Sequence, residues 1–329
     1  MKKLLGAMVI VVFMVTGCFY APSVNRIADA WVDKEAPEGL PSADLKFELA
    51  SFYVPPPHYT RPQTGDRHYY NFTVTPEFEN ALAAYLSGRW EQGLAQCDII
   101  LILAESKNSP KLLWQASLLR INALVMLKKH NEAVAETARM EKFEKLAMGE
   151  HANQTSRVLR AEARYWAGDI KGSMEDSKSV INSFGDWRFP TSYFFSGPPL
   201  DQVELARCAT AQVRANIFFG LALVAKGRTK EALPWLELAN QTMNNVMYVA
   251  RHPLYGGFFW PSDEHFWGHG LSSAALGIVL EARNQELERV AKLLARAQEY
   301  FDAIGYRAGP TIINALRQAV AVKKPPENK

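Results

Sequence analysis

The sequence predicts an all-α protein: an α-α superhelix of stacked helical hairpins, interrupted by two aromatic-rich insertions. Three observations carry that expectation. First, Gly220 and Ala232 lie twelve apart with Gly227 between them. This places a small residue on each of two closely crossing helices and a residue tolerant of positive φ at the turn. The arrangement recurs at Ala81, Gly88 and Gly93, at Ile121, Lys128 and Ala133, at Ala161, Gly168 and Ser173, and at Gly277, Asn284 and Ala291, where the turn reads as two residues longer. Second, successive units begin at 81, 121, 161, 220 and 277, so extra chain follows the third and fourth units. Third, 48% of the 329 residues are hydrophobic, enough for a large core. A stacked array escapes the usual limit on domain size because each unit contacts only its neighbours.

From the N-terminus, Lys2 and Lys3 precede the apolar run Leu4 to Val15, which meets Val15-Thr16-Gly17-Cys18. Basic start, short apolar run and small residues in that order predict a secretory signal over residues 1–17, too short to span a bilayer comfortably. The last four residues resemble the lipobox of bacterial lipoproteins. By that resemblance Cys18 becomes the first mature residue and carries lipid on its thiol and amine, several acyl chains anchoring more firmly than one. The alternative is an ordinary cleaved signal or an anchor helix with Cys18 incidental. Phe19, rather than Asp, follows Cys18; in enterobacteria-like lipoproteins that implies export to the outer membrane.

Residues 18–75 change character. Seven of the chain's 18 prolines fall between Phe19 and Val74, including Pro55-Pro56-Pro57. Because proline fixes φ and removes a donor, this stretch reads as an extended tether. Within it, Ser42 to Val54 is a short packing segment, either a helix face of Leu45, Leu49 and Phe52 or a strand face of Leu45, Phe47 and Leu49. The alternation of Tyr70, Phe72 and Val74 predicts that the end of the tether lies against the first repeat.

The helical body is expected over residues 76–322. Its units resemble the tetratricopeptide (TPR) family, which places small residues at the two helix positions, a glycine at the turn and a hydrophobic residue after the second small one. Here those last residues are Leu94, Val134, Met174, Leu233 and Lys292, and Ile121, Lys128 and Lys292 depart from the pattern. The resemblance implies a repeat scaffold rather than a reaction centre. After Gly309-Pro310, the helix Thr311 to Val322 reads as a cap covering the last unit's apolar face, before the charged tail of residues 323–329.

The insertions fall near 184–200 and 248–269. They carry Trp187, Arg188, Phe195, Phe259, Trp260, Asp263, His265 and Trp267 among many aromatics. Side chains of that size are not normally left scattered in solvent. Either they converge into an amphipathic platform for a peptide, a lipid or a sugar chain, with Arg188, Asp263 and His265 at its rim, or they pack on the body as a local core.

Other constellations point away from chemistry. His265 and His269 are four apart, but Gly268 and Gly270 argue against a regular helix and a third ligand is missing, so the sequence predicts polar loop histidines and no metal. Cys97 and Cys208 sit in apolar helical settings of different units and read as buried free thiols. No catalytic triad signature, phosphate-binding loop or cofactor motif is visible. The charge is 37 basic against 34 acidic residues, or 35 against 34 once Lys2 and Lys3 leave with the signal, which gives no basic stripe for nucleic acid. The expected function is that of a non-enzymatic scaffold or assembly factor, facing the periplasm from the outer membrane and holding envelope protein partners. It resembles the TPR lipoproteins of outer-membrane barrel assembly and the pilotins of secretin assembly. The alternative, resembling the TPR partners of TRAP transporters, is a module for a small apolar ligand.

Overall fold

The computed structural model describes residues 68–69, 72–73, 75–148, 155–183, 202–251 and 263–321. The lipobox, the tether up to residue 67 and the whole of 184–200 lie outside them. A two-residue antiparallel hairpin, β1 (His68–Tyr69) with β2 (Phe72–Thr73), leads into eleven helices. They form five pairs and a closing helix: α1 (Pro76–Leu86) with α2 (Trp90–Ser106), α3 (Pro110–Met126) with α4 (His130–Met148), α5 (Thr155–Ala167) with α6 (Ile170–Ser183), α7 (Gln202–Ala225) with α8 (Thr229–Arg251), α9 (Asp263–Ala282) with α10 (Leu287–Ala303), and α11 (Gly309–Ala321). Among the described residues the protein is all-helical apart from that hairpin, and consecutive helices pack on one another.

The repeat is written in backbone hydrogen bonds. Each first helix ends with a residue at positive φ: Gly88 at 79°, Lys128 at 59°, Gly168 at 86°, Gly227 at 77° and Asn284 at 52°. In every case its N–H donates three residues back and the next N–H donates five back, as in Gly88 to Tyr85 O and Arg89 to Ala84 O, or Asn284 to Glu281 O and Gln285 to Leu280 O. This is the Schellman closure, which satisfies the carbonyls a helix end leaves open. Lys128 adopts the same left-handed conformation without glycine's freedom, so its departure from the repeat is one of residue type and not of backbone.

The fifth turn corrects the sequence register. The amide four residues into each second helix donates to the capping carbonyl: Gly93 to Arg89, Ala133 to Lys129, Ser173 to Asp169, Ala232 to Arg228, and in the last unit Val290 to Glu286. Val290, not Ala291, holds the second position, because Glu286 at φ 49° adds one residue to the turn and not two. Val290 is buried, whereas Ala291 and Lys292 are exposed, so the lysine that looked anomalous in the hydrophobic place simply faces water.

Both glycines of the longer units lie between helices, as expected. A Cβ on Gly220 would sit 2.9 Å from Leu236 Cδ2 and 3.3 Å from Ala232 O, and one on Gly277 would meet Leu294 at 3.2 Å and Leu293 at 3.3 Å. Gly220→Leu is therefore expected to cost about 1–3 kcal/mol by overpacking. Its urea midpoint should drop at unchanged m, and an unaltered midpoint would contradict the close crossing of α7 and α8.

First and second helices bury differently. No residue from 210 to 224 on α7 or from 265 to 280 on α9 is exposed, as expected of helices surrounded on all sides. The second helices keep a wet face, crossed by ion pairs between units such as Arg139 to Glu105 at 2.6 Å and Arg289 to Glu237 at 2.6 Å. The stack also closes on itself. Arg307 N donates to Leu86 O at 2.9 Å, and the Tyr85 and Tyr306 hydroxyls lie 3.4 Å apart. The turn between α10 and α11 thus rests on the end of α1, while α11 packs against α7, α9 and α10.

Candidate site at the centre of the helix stack

Arg214, on α7, is where the first helices converge. Its guanidinium lies 3.6 Å from Glu162 Oε2 on α5, 3.4 Å from Asn122 Oδ1 on α3, and 4.0 Å over the Trp267 ring of α9. All four side chains are buried. A charge in such a place requires a counter-charge or hydrogen bonds, and here one guanidinium draws both from helices of different units. Burial pushes the Glu162 carboxyl above its ordinary range, offset by Arg214 and by a hydrogen bond from Trp166. The Tyr85–Tyr306 pair continues the cluster, with the Tyr306 hydroxyl 3.7 Å from Met126 Sδ. Burial pushes the Tyr85 hydroxyl up to about 12, so it stays a neutral donor at any ordinary pH. With a buried guanidinium, a carboxyl and a phenol pair, the cluster can hold and orient polar groups.

The expected site residues fall partly outside this picture. Trp187, Arg188, Phe195, Phe259 and Trp260 lie outside the described residues, and Asp263 opens α9 with its side chain outside them. His265 and Trp267 are buried on α9. The second insertion is accordingly shorter than its sequence bounds, because α8 runs on to Arg251 and α9 takes up Asp263 to His269. Gly268 and Gly270 sit inside that helix. A Cβ on Gly270 would come within 2.6 Å of the Phe301 ring, so close packing accounts for that glycine and the anticipated helix break does not occur.

His269 is likewise no loop residue. Its Nε2 lies 2.9 Å from Asn244 Oδ1 and its Nδ1 3.3 Å from Ser273 Oγ. Asn240 Nδ2 donates to Ser273 Oγ at 2.9 Å, and Asn244 Nδ2 donates to Asn240 Oδ1 at 3.3 Å. This closed ring of hydrogen bonds fits the neutral imidazole with its proton on Nε2. The ring also stacks on Tyr300 at 4.0 Å. Burial, with Arg296 nearby, lowers its pKa to about 3. Since the unfolded chain takes up this proton near 6.5 and the folded one does not, stability falls as pH drops through that window. Between pH 7 and pH 5 the loss should be about 2 kcal/mol. The measurement is the urea midpoint against pH, and His269→Gln should flatten that slope; an equal slope in both proteins would refute the assignment.

Cys97 is a buried free thiol, pushed up to about 12 by its burial, hence protonated and unreactive. The Cys208 side chain is outside the described residues. Among the described residues no group of three or more His, Cys, Asp or Glu is arranged to hold a metal, and no helix is long and apolar enough to cross a membrane. Arg214, Glu162 and Asn122 were missed in the sequence because no motif joins them. Arg214 alone left a signal, a charge in the otherwise uncharged run Ala209 to Ala225; Glu162 lies on a helix that also carries Arg157, Arg160 and Arg164, and Asn122 is uncharged. None of the known protein families, curated proteins or solved structures compared with this chain matches it.

Proposed function

We propose that this chain is a TPR-like bacterial lipoprotein, anchored through Cys18 in the outer membrane and facing the periplasm, that acts by holding an envelope protein partner. The observation that supports this reading most is the buried centre. With α7 and α9 buried along residues 210–224 and 265–280 and joined to α3 and α5 at Arg214, partners have the outer faces and the two insertions to meet. Antiparallel pairing also sets one end of α7 beside one end of α8. Gly220 meets Ala232 and Leu236 across α7 and α8, which puts Arg251 level with the start of α7. Gln202 and Arg251, the helix ends that bound the two insertions, therefore lie side by side.

The test is capture from crosslinked envelopes with wild type and a Trp187→Ala/Trp260→Ala variant. The variant should lose the partner at an unchanged melting temperature; full capture would sink the insertions as the contact surface. A second reading, a module for a small ligand resembling the TPR partners of TRAP transporters, draws on the convergence of Arg214, Glu162, Asn122 and Trp267. It gains if purified protein carries a bound small molecule that Asn122→Ala releases. For the anchor, Cys18→Ser should yield an unprocessed or soluble product, since acylation needs the thiol; normal processing and membrane partition of that variant would refute it.

A further inference from the structure

The second helix of the first unit carries an apolar ridge that no described element covers. Ile99 is 58% exposed and Ile102 70% exposed, and Ala95 is exposed beside them. Two other faces of α2 are occupied. Gly93, Cys97, Ile100 and Ala104 are buried, with Gly93 set against Ala81 and Tyr85 of α1. Asp98 and Glu105 turn to the second unit through Arg120 and Arg139. Two large aliphatics one turn apart on an outer face are costly to leave in water. At the other end of the stack the equivalent need is met by α11.

We propose that this ridge is the docking site of the chain's own segment Ser42–Val54. Three observations select it over a foreign partner. The first is spacing: Ala95, Ile99 and Ile102 follow i, i+4, i+7, and so do Leu45, Leu49 and Phe52, the two stripes that interlock when helices pack face to face. The second is place. Because Gly93 meets Ala81 and Tyr85 across the antiparallel pair, Ile99 and Ile102 stand level with the first turn of α1, beside the point where β2 delivers the tether at Thr73. The third is reach. Residues 55–67 extend to about 45 Å, longer than the whole of α2 at about 25 Å, and closing so short a loop costs little entropy. Docking makes Ser42–Val54 the N-terminal cap of the stack. On the lipid-anchor reading it also leaves only residues 19–41 as free spacer and holds the body nearer the membrane.

The experiment is hydrogen exchange on the full-length protein in detergent, with wild type compared to Ile99→Asp/Ile102→Asp. In wild type the amides of residues 42–54 should exchange at least tenfold more slowly than those of 55–67. The double variant should abolish that difference while the amides of α3 to α11 keep theirs. Cysteines introduced by Leu49→Cys and Ile102→Cys should join within one chain under mild oxidation. No slowing in wild type overturns the proposal. So does a disulfide formed only between two chains, which would give the ridge to a second copy.

Discussion

Arg214→Ala is expected to destabilise the fold by about 3–5 kcal/mol, the cost of leaving a buried counter-charge without its partner. The side chain left behind is Glu162, buried on α5, whose carboxyl loses the opposing charge that offsets its desolvation. The loss should appear as a lower urea midpoint at pH 7 and should shrink on acidification, as Glu162 takes up a proton and ceases to be an uncompensated charge. Arg214→Met combined with Glu162→Leu should recover most of the stability, because an apolar pair of similar volume commonly equals a buried ion pair. If the single variant loses less than about 1 kcal/mol, the guanidinium lies at a surface-like site and the converging cluster is not the centre of the fold.

Trp267→Ala should be nearly as damaging, at about 3–5 kcal/mol for a buried indole replaced by methyl. Trp267 is 8% exposed and forms the floor on which Arg214 rests, so its removal also strips a desolvated cation–π contact, worth about 2 kcal/mol at most and partly included in that range. The comparison with Trp260→Ala separates packing from binding. Early melting by Trp267→Ala together with partner loss by Trp260→Ala at wild-type stability is the expected pair. Wild-type stability of Trp267→Ala would place the ring outside the core.

Much of the architecture was legible because local chemistry and the fold agree. Gly88, Gly168 and Gly227 mark left-handed turns that few other residues tolerate, and the buried glycines Gly220 and Gly277 mark close crossings. Where the local signal was ambiguous, reading failed in instructive ways. The last turn, Arg283-Asn284-Gln285-Glu286, lacks a glycine and holds two residues at positive φ, which propensity does not foretell. Gly268 and Gly270 looked like breakers, yet α9 keeps them because tertiary packing outweighs the roughly 1 kcal/mol each costs a helix. The central cluster was invisible for another reason: its members are separated by tens of residues, and only the arrangement of five helices makes them neighbours.

The contact between Tyr306 and the end of α1 changes how the chain should fold. An open array of hairpins behaves as a one-dimensional chain, in which end units fray first and each hairpin forms with little regard for distant ones. Here a residue pair 221 positions apart is in contact, so the first and last units share one free energy. Closing that span is slow compared with forming any single hairpin, which makes the joining of the ends a late event, after the individual pairs exist. Once it is made, neither end of the described helix stack is free to unravel alone, and the amides of α1 gain protection from the turn between α10 and α11.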